Sequence, residues 1–150
     1  MRIVIQRVQH ASVTIRSEVR SAIGRGFLIL VGIGEDDTPE DAEWLAKKVV
    51  NLRVFDDAEG VMNRSLLDVG GQILVVSQFT LMASYKKGNR PSWIRAARHE
   101  VSIPLYEAFC GLLSQQLGRQ VATGEFGADM KVELLNDGPV TIWMDTKNKE

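Results

Sequence analysis

The sequence predicts one α/β domain. Mixed or antiparallel β-sheets form a sandwich- or barrel-like core, and two main helices pack on it to give three layers. Three observations carry this. The two ends of the chain alternate apolar and polar residues at period two. Two internal segments repeat apolar residues at helical spacing. The order is strands, helix, strand, helix, strands, with no repeat, linker or low-complexity tract, so residues 1–150 make a single unit.

"MRIVIQRVQHASVTIRS" is rich in β-branched residues. Ile3 and Ile5 alternate with Val4, Gln6 and Val8, and Val13 and Ile15 with Ser12, Thr14 and Arg16. This predicts two strands turning near His10 and Ala11. "GRGFLILVGIG" is a glycine-bounded apolar run, as expected of a central strand covered on both faces. In "DDTPEDAEWLAKKVVNLRVF" Thr38 is a good N-cap, Pro39 suits the first helical position and Asp41 completes an approximate capping box. Ala42, Leu45, Ala46, Val49 and Leu52 share one face. The acids crowding its start read as solvated compensation of the helix dipole rather than a metal site.

A turn at "DAEG" precedes a strand from about Gln72 to Leu81. A loop, "ASYKKGNRPSW", leads to the second helix, "SIPLYEAFCGLLSQQLG". Its buried stripe is Leu105, Phe109, Leu112, Leu113 and Gln116 or Leu117, and Gly118 stops it. "RQVATGEF", "MKVELLN" and "PVTIWMD" are three more strand candidates.

Composition bounds the function. Of 150 residues, 45% are hydrophobic and 25% charged, so the core needs no staples. With a net charge of -1, polyanion binding has to come from local charge. The single cysteine, Cys110, excludes an internal disulfide and reads as a small buried hydrophobe, which fits a reducing compartment. "FLILVGI" falls short of a membrane span and "MRIVIQRV" has no signal-peptide core. The expectation is a cytoplasmic protein without membrane association.

The strand "LVVSQFTLMA" ends unusually. Ile73, Val75, Ser77, Phe79 and Leu81 share one face; Leu74, Val76, Gln78 and Thr80 share the other. Polar residues therefore close an apolar face. Either the strand surfaces there, or it lines a pocket. A Thr80 or Ser77 nucleophile needs a base, and His10 and His99 are not placed beside it by sequence. GxSxG, zinc-ligand spacing, GxGxxG and a P-loop are all missing. From Lys86 to Arg98 the chain carries Lys86, Lys87, Arg90, Arg95 and Arg98 and no acid, with Tyr85 and Trp93 beside them. That fits phosphate contacts and stacking on unpaired bases; it also fits a solvated loop.

"SQFTL" together with "NDGPVT" (Asn136 to Thr141) resembles the paired signature of the D-aminoacyl-tRNA deacylases, also called D-tyrosyl-tRNA deacylases. The resemblance spans essentially the whole chain, including "G.LILVGI" and "GEFGADM", with no departure in either motif. It implies a homodimer that cleaves the ester between a D-amino acid and the 3′-terminal adenosine of aminoacylated tRNA. Ser77, Gln78, Phe79 and Thr80 would line the catalytic pocket. Gly138 and Pro139 would be a Gly-cisPro chirality filter reaching into the partner subunit's pocket, with Asn136 beside them and Met130 as a further lining residue. Lys86, Lys87, Arg90 and Arg95 are the candidate tRNA contacts. Separately, no ligand cluster in the sequence asks for a metal, and neither a cofactor nor a DNA partner is expected.

Such a reaction tolerates the missing acid–base pair. An aminoacyl ester is already activated, and the substrate's 2′-hydroxyl can assist. Positioning and backbone N–H groups near Phe79 and Thr80 can hold the carbonyl oxygen. A wall beside Cα excludes L-amino acids by overlap. Glycine has no side chain to exclude, so glycyl-tRNA is an expected second substrate. The alternatives are an RNA-binding module without catalysis using residues 86–98, an esterase acting through Thr80, and a structural domain.

Overall fold

The computed structural model describes Met1–Glu150 throughout. In chain order the elements are β1 (Arg2–Ile15), β2 (Glu18–Ile23), β3 (Gly26–Gly32), α1 (Pro39–Asn51), β4 (Phe55–Asp56), β5 (Met62–Arg64), α2 (Leu66–Val69), β6 (Gln72–Ser77), a 3₁₀ turn (Phe79–Met82), α3 (His99–Leu117), β7 (Ala122–Thr123) and β8 (Lys131–Asp145). Six strands form one mixed sheet in the order β2-β1-β3-β6-β7, with β8 along the other side of β1. The β3–β6 and β6–β7 pairs are parallel and the others antiparallel. The two ends of that path approach each other. Ser21 Oγ on β2 donates to the Thr123 carbonyl on β7 at 2.5 Å, so the sheet curls into a nearly closed barrel.

The curl creates two apolar interiors. Outside, α1 and α3 cover Ile3, Ile5, Phe27, Ile29, Ile73 and Val75. Inside, Val8, Ala11, Val13, Leu28, Leu74 and Val76 meet one another. β3 and β6 contribute alternate residues to both, which is why their runs are almost wholly apolar. α1 follows its expectation closely. Thr38 caps it, Pro39 begins it, the Thr38–Asp41 capping box forms, and Ala42, Leu45, Ala46 and Val49 are buried. Leu52 ends up just past the helix as its C-cap, only half-buried. Gly118 closes α3 in the left-handed region, at φ 75°.

The ends of several elements differ from expectation. There is no turn at His10–Ala11: β1 runs on to Ile15, and the turn falls at Arg16 and Ser17, both at positive φ. What looked like a turn is a change of face. Ile3 and Ile5 point to the helices, whereas Ala11 and Val13 point into the barrel. The phase slips where the β1–β8 register shifts, between Val8 and His10. "MKVELLN" and "PVTIWMD" belong to one strand, β8, and "RQVATGEF" contributes only the short β7. α3 starts at His99, three residues before Ser102. β6 stops at Ser77, and Phe79 to Met82 coil instead of extending. The acids before α1 are not all solvated. Asp37 is buried, pairs with the Met1 ammonium and accepts from Gly34 N–H at 2.7 Å.

Close backbone approach sets where β6 lies. A Cβ on Gly26 would stand 1.9 Å from the Gln72 carbonyl oxygen. At the other end of β3, a Cβ on Gly32 would stand 2.8 Å from Leu81 Cβ and 2.9 Å from the Gln78 carbonyl. By contrast, Gly111 within α3 faces open space. Gly26→Ala is therefore expected to lower unfolding free energy by about 3 kcal/mol. Gly111→Ala is expected to raise it by about 0.4–1 kcal/mol. Urea denaturation checks both; a Gly26→Ala midpoint at or above wild type contradicts the packing account.

Candidate functional site

The largest cleft, about 530 Å³, opens where β6 gives way to the 3₁₀ turn. That volume lies within the roughly 300–1,000 Å³ of small-ligand sites. Ser77, Gln78 and Phe79 form one side. Ala96, Ala97 and the start of α3, with His99 and Ser102, form another. Phe126 to Met130 close the third.

Each wall has a local cause. The last ladder bond of β6 runs from Gln78 N–H to the Val31 carbonyl at 2.7 Å. The first bond of the turn runs from Leu81 N–H to the Gln78 carbonyl at 3.2 Å. The amides of Phe79 and Thr80 fall between these two patterns. Gln78 Nε2 donates to Thr80 Oγ1. Ser77, Gln78 and Phe79 face the cleft, but Thr80 is not among its lining residues. Phe126 stands edge-on to both His99 (centroids 5.7 Å apart) and Tyr106 (5.6 Å). Tyr106 in turn donates from its hydroxyl to the Val75 carbonyl at 3.1 Å, which fixes this wall to β6. Met130 fits because Gly124 has no side chain: a Cβ there would lie 2.4 Å from Met130 Sδ.

Gly138, Pro139 and Asn136 do not enter this cleft. On β8, Asn136 pairs with Val8 and Thr141 with Gln6, so residues 137–140 bulge out opposite Arg7 alone. The Gly138–Pro139 peptide is cis, and both residues are exposed. Arg7 is buried and fastens the bulge. Its Nε donates to the Asp137 carbonyl at 3.0 Å and lies 3.3 Å from the Asp137 carboxylate. Its Nη1 donates to the Val54 carbonyl at 2.5 Å. Thr141 Oγ1 donates to Gln6 Oε1 beside it.

The basic segment is a pinned hairpin. Ser84 and Ser92 exchange two backbone bonds at 2.8 Å, and Ala97 N–H reaches the Ile33 carbonyl at 2.9 Å. Lys86, Lys87 and Arg90 are exposed at its tip. Arg95 departs from them: it lines a second, shallow depression with Glu35, Asp36, Asp37 and Asp145.

His99, Ser102 and Phe126 went unassigned in the sequence. Ser102 had a legible signal. It continues the stripe of Leu105, Tyr106, Phe109 and Leu113 back by one turn, so a polar residue sits on a buried face. Its hydroxyl is buried without a hydrogen-bond partner. No cluster of three or more His, Cys, Asp or Glu side chains could hold a metal ion. No helix is long and apolar enough to cross a membrane. The cleft thus offers backbone amides, an amide side chain, hydroxyls, the His99 imidazole and the Asp129 carboxylate around an apolar interior. These can position and polarise a ligand.

Comparison with known proteins follows the same lines. The family model described as D-Tyr-tRNA(Tyr) deacylase matches residues 4–145. Proteins named D-aminoacyl-tRNA deacylase from Phocaeicola vulgatus and Bacteroides thetaiotaomicron are 72% and 69% identical over 150 residues, covering 100% of each chain. A solved structure titled c-Myc DNA Unwinding Element Binding Protein superposes with a TM-score of 0.91 at 42% identity, covering 97% of this chain and 98% of that one. A probable eukaryotic D-amino acid tRNA deacylase superposes at 0.83 with 18% identity, covering 95% and 97%; it shows the shared fold.

Two properties can be checked without substrate. Arg7→Lys keeps the charge but cannot make both carbonyl bonds. Losing a charge-assisted bond costs about 1.5–3 kcal/mol, so amide exchange between Asn136 and Thr141 should quicken about tenfold or more. Unchanged exchange there would remove Arg7 as the fastener. Cys110, expected to be buried, is half-buried; burial is still the foremost cause that pushes its thiol up to about 11, so its thiolate is scarce near neutrality. A thiol reagent near pH 8 should label the native chain about a hundredfold more slowly than the urea-unfolded one; equal rates would contradict the burial.

Proposed function

The chain belongs to the D-Tyr-tRNA(Tyr) deacylase family, and from that premise we propose that it hydrolyses the ester joining a D-amino acid to the 3′-terminal adenosine of tRNA, releasing the free amino acid and tRNA in the cytoplasm. One observation carries the assignment of the reaction to the cleft. The polar end of β6, Ser77 to Phe79, opens into an apolar hollow of suitable volume at the point where two backbone amides leave the ladder.

The amide of Phe79, the residue of this pair that lines the cleft, holds the ester carbonyl oxygen as it gains negative charge, with the Thr80 amide next along the turn in support. Water, steered by the substrate's own 2′-hydroxyl, attacks the carbonyl carbon. The C–O bond to the ribose breaks, and the proton passes to the departing ribose oxygen. Thr80 positions rather than attacks: its hydroxyl already accepts from Gln78 and stands outside the cleft lining. Removing one such donor in comparable sites costs about 10²–10³ in rate, whereas the loss of a positioning hydroxyl costs less. Thr80→Ala should therefore keep measurable single-turnover deacylation. Near-complete loss, with fold and tRNA binding intact, would move the role to the hydroxyl.

Chirality is read between two copies of the chain. In a homodimer the bulge carrying Gly138 and Pro139 faces the partner's cleft and forms a wall beside the substrate's Cα. Support comes from its placement: it is exposed, outside its own cleft, and held by Arg7. A D side chain points away from the wall, an L side chain into it, and glycine meets neither. D-Tyr-tRNA and Gly-tRNA should lose their amino acid, and L-Tyr-tRNA should persist. Rapid loss of the L-Tyr ester at low enzyme, or an active monomer, would sink this account. Lys86, Lys87 and Arg90 meet tRNA phosphates, so binding should weaken as salt rises.

A further inference from the structure

We propose that Phe79 and Trp93 form a stacking platform for the unpaired nucleotides that precede the terminal adenosine, making Trp93 a determinant of polynucleotide over mononucleoside substrates. The inference rests on the cleft being the seat of that adenosine. About 530 Å³ accommodates a single nucleoside with its amino acid. The rest of the strand has to leave through the mouth, and Phe79 stands there. It lines the cleft, yet its side chain is 56% exposed. Trp93, 40% exposed, meets it edge-on with centroids 5.3 Å apart and planes at 73°. Both rings keep aromatic surface open to solvent beside this contact.

The surroundings specify the occupant. Residues 84–98 carry five cations and no acid. Lys86, Lys87 and Arg90 form no ion pair within the chain, so their charge is free for phosphates. An apolar surface awaiting a protein segment would not need that run of positive charge. Aromatic faces beside a row of cations suit bases on a single strand, because every base has a π-face. The Ser84–Ser92 bonds and the Ala97 tie hold the hairpin in place before any ligand arrives, so little ordering cost falls on binding.

The test compares kcat/KM for D-Tyr-tRNA with that for the D-Tyr ester of adenosine alone. Stacking on one base is worth enough to predict that Trp93→Ala lowers the tRNA-to-adenosine ratio about tenfold, through KM. Trp93→Phe should restore it to within about threefold. A ratio equal to wild type in Trp93→Ala overturns the platform. A second measurement needs no turnover. In a Trp44→Phe, Trp143→Phe background, Trp93 is the only one of three tryptophans left. A short uncharged single strand with the tRNA 3′-end sequence should quench its fluorescence saturably, and the same sequence in a duplex should not. Absence of quenching overturns the proposal, as does a Trp93→Ala chain that becomes monomeric where wild type is dimeric, since a second copy then covers the rings. If wild type hydrolyses neither ester, the proposed activity falls and the quenching alone decides the platform.

Discussion

The close approach of residues 72–82 to β3 governs everything else in this molecule. Two glycines permit it, Gly26 where β6 begins and Gly32 where the chain coils away. Between them the parallel register from Phe27–Ile73 to Val31–Ser77 is locked. With β3 also paired to β1, the centre of the sheet is apolar on both faces and the curled barrel follows. The end of the register also decides where the cleft opens. Once Gln78 N–H has used the Val31 carbonyl, β3 has only Gly32 to offer, and the contact at Gly32 turns the chain aside.

Much of this was legible in the residues. α1 announced itself through Thr38, Pro39 and a clean apolar stripe, because its signals are local. The glycine-bounded apolar run of β3 gave a central strand for the same reason. What was illegible involved partners far away in sequence. The slip between Val8 and His10 resembled a turn, since a bulge and a turn interrupt alternation alike; only pairing with β8 distinguishes them. Phe79 to Met82 kept a strand-like composition but coil because Gly32 admits Leu81 at that point. "SQFTL" and "NDGPVT" were conspicuous as a pair, yet composition could not say that one faces the cleft and the other stands outside it. His99, Ser102 and Phe126 join the cleft from elements 20 to 50 residues beyond Ser77, where no spacing rule reaches.

Recognition and rigidity come from the same bonds. Tyr106 holds Phe126 against the strand whose end lines the cleft, and Arg7 ties the β8 bulge to the chain leaving α1. A mechanism that draws on no acid–base pair, as proposed for this cleft, depends on such fixation, because placement supplies what proton transfer would otherwise supply.

The bulge at 137–140 has a consequence for how the protein behaves in a crowd. β8 is fifteen residues long and is hydrogen-bonded on one side only, with Leu135 and Trp143 exposed. A flat edge of that length would template any extended chain it met. Four residues that leave the ladder, one of them a proline without an N–H, divide the edge into two short stretches. The same detour that leaves Gly138 and Pro139 exposed thus shortens the stretches of edge that a stray extended chain could pair with, so one interruption of a strand both shapes a surface feature and blunts an edge.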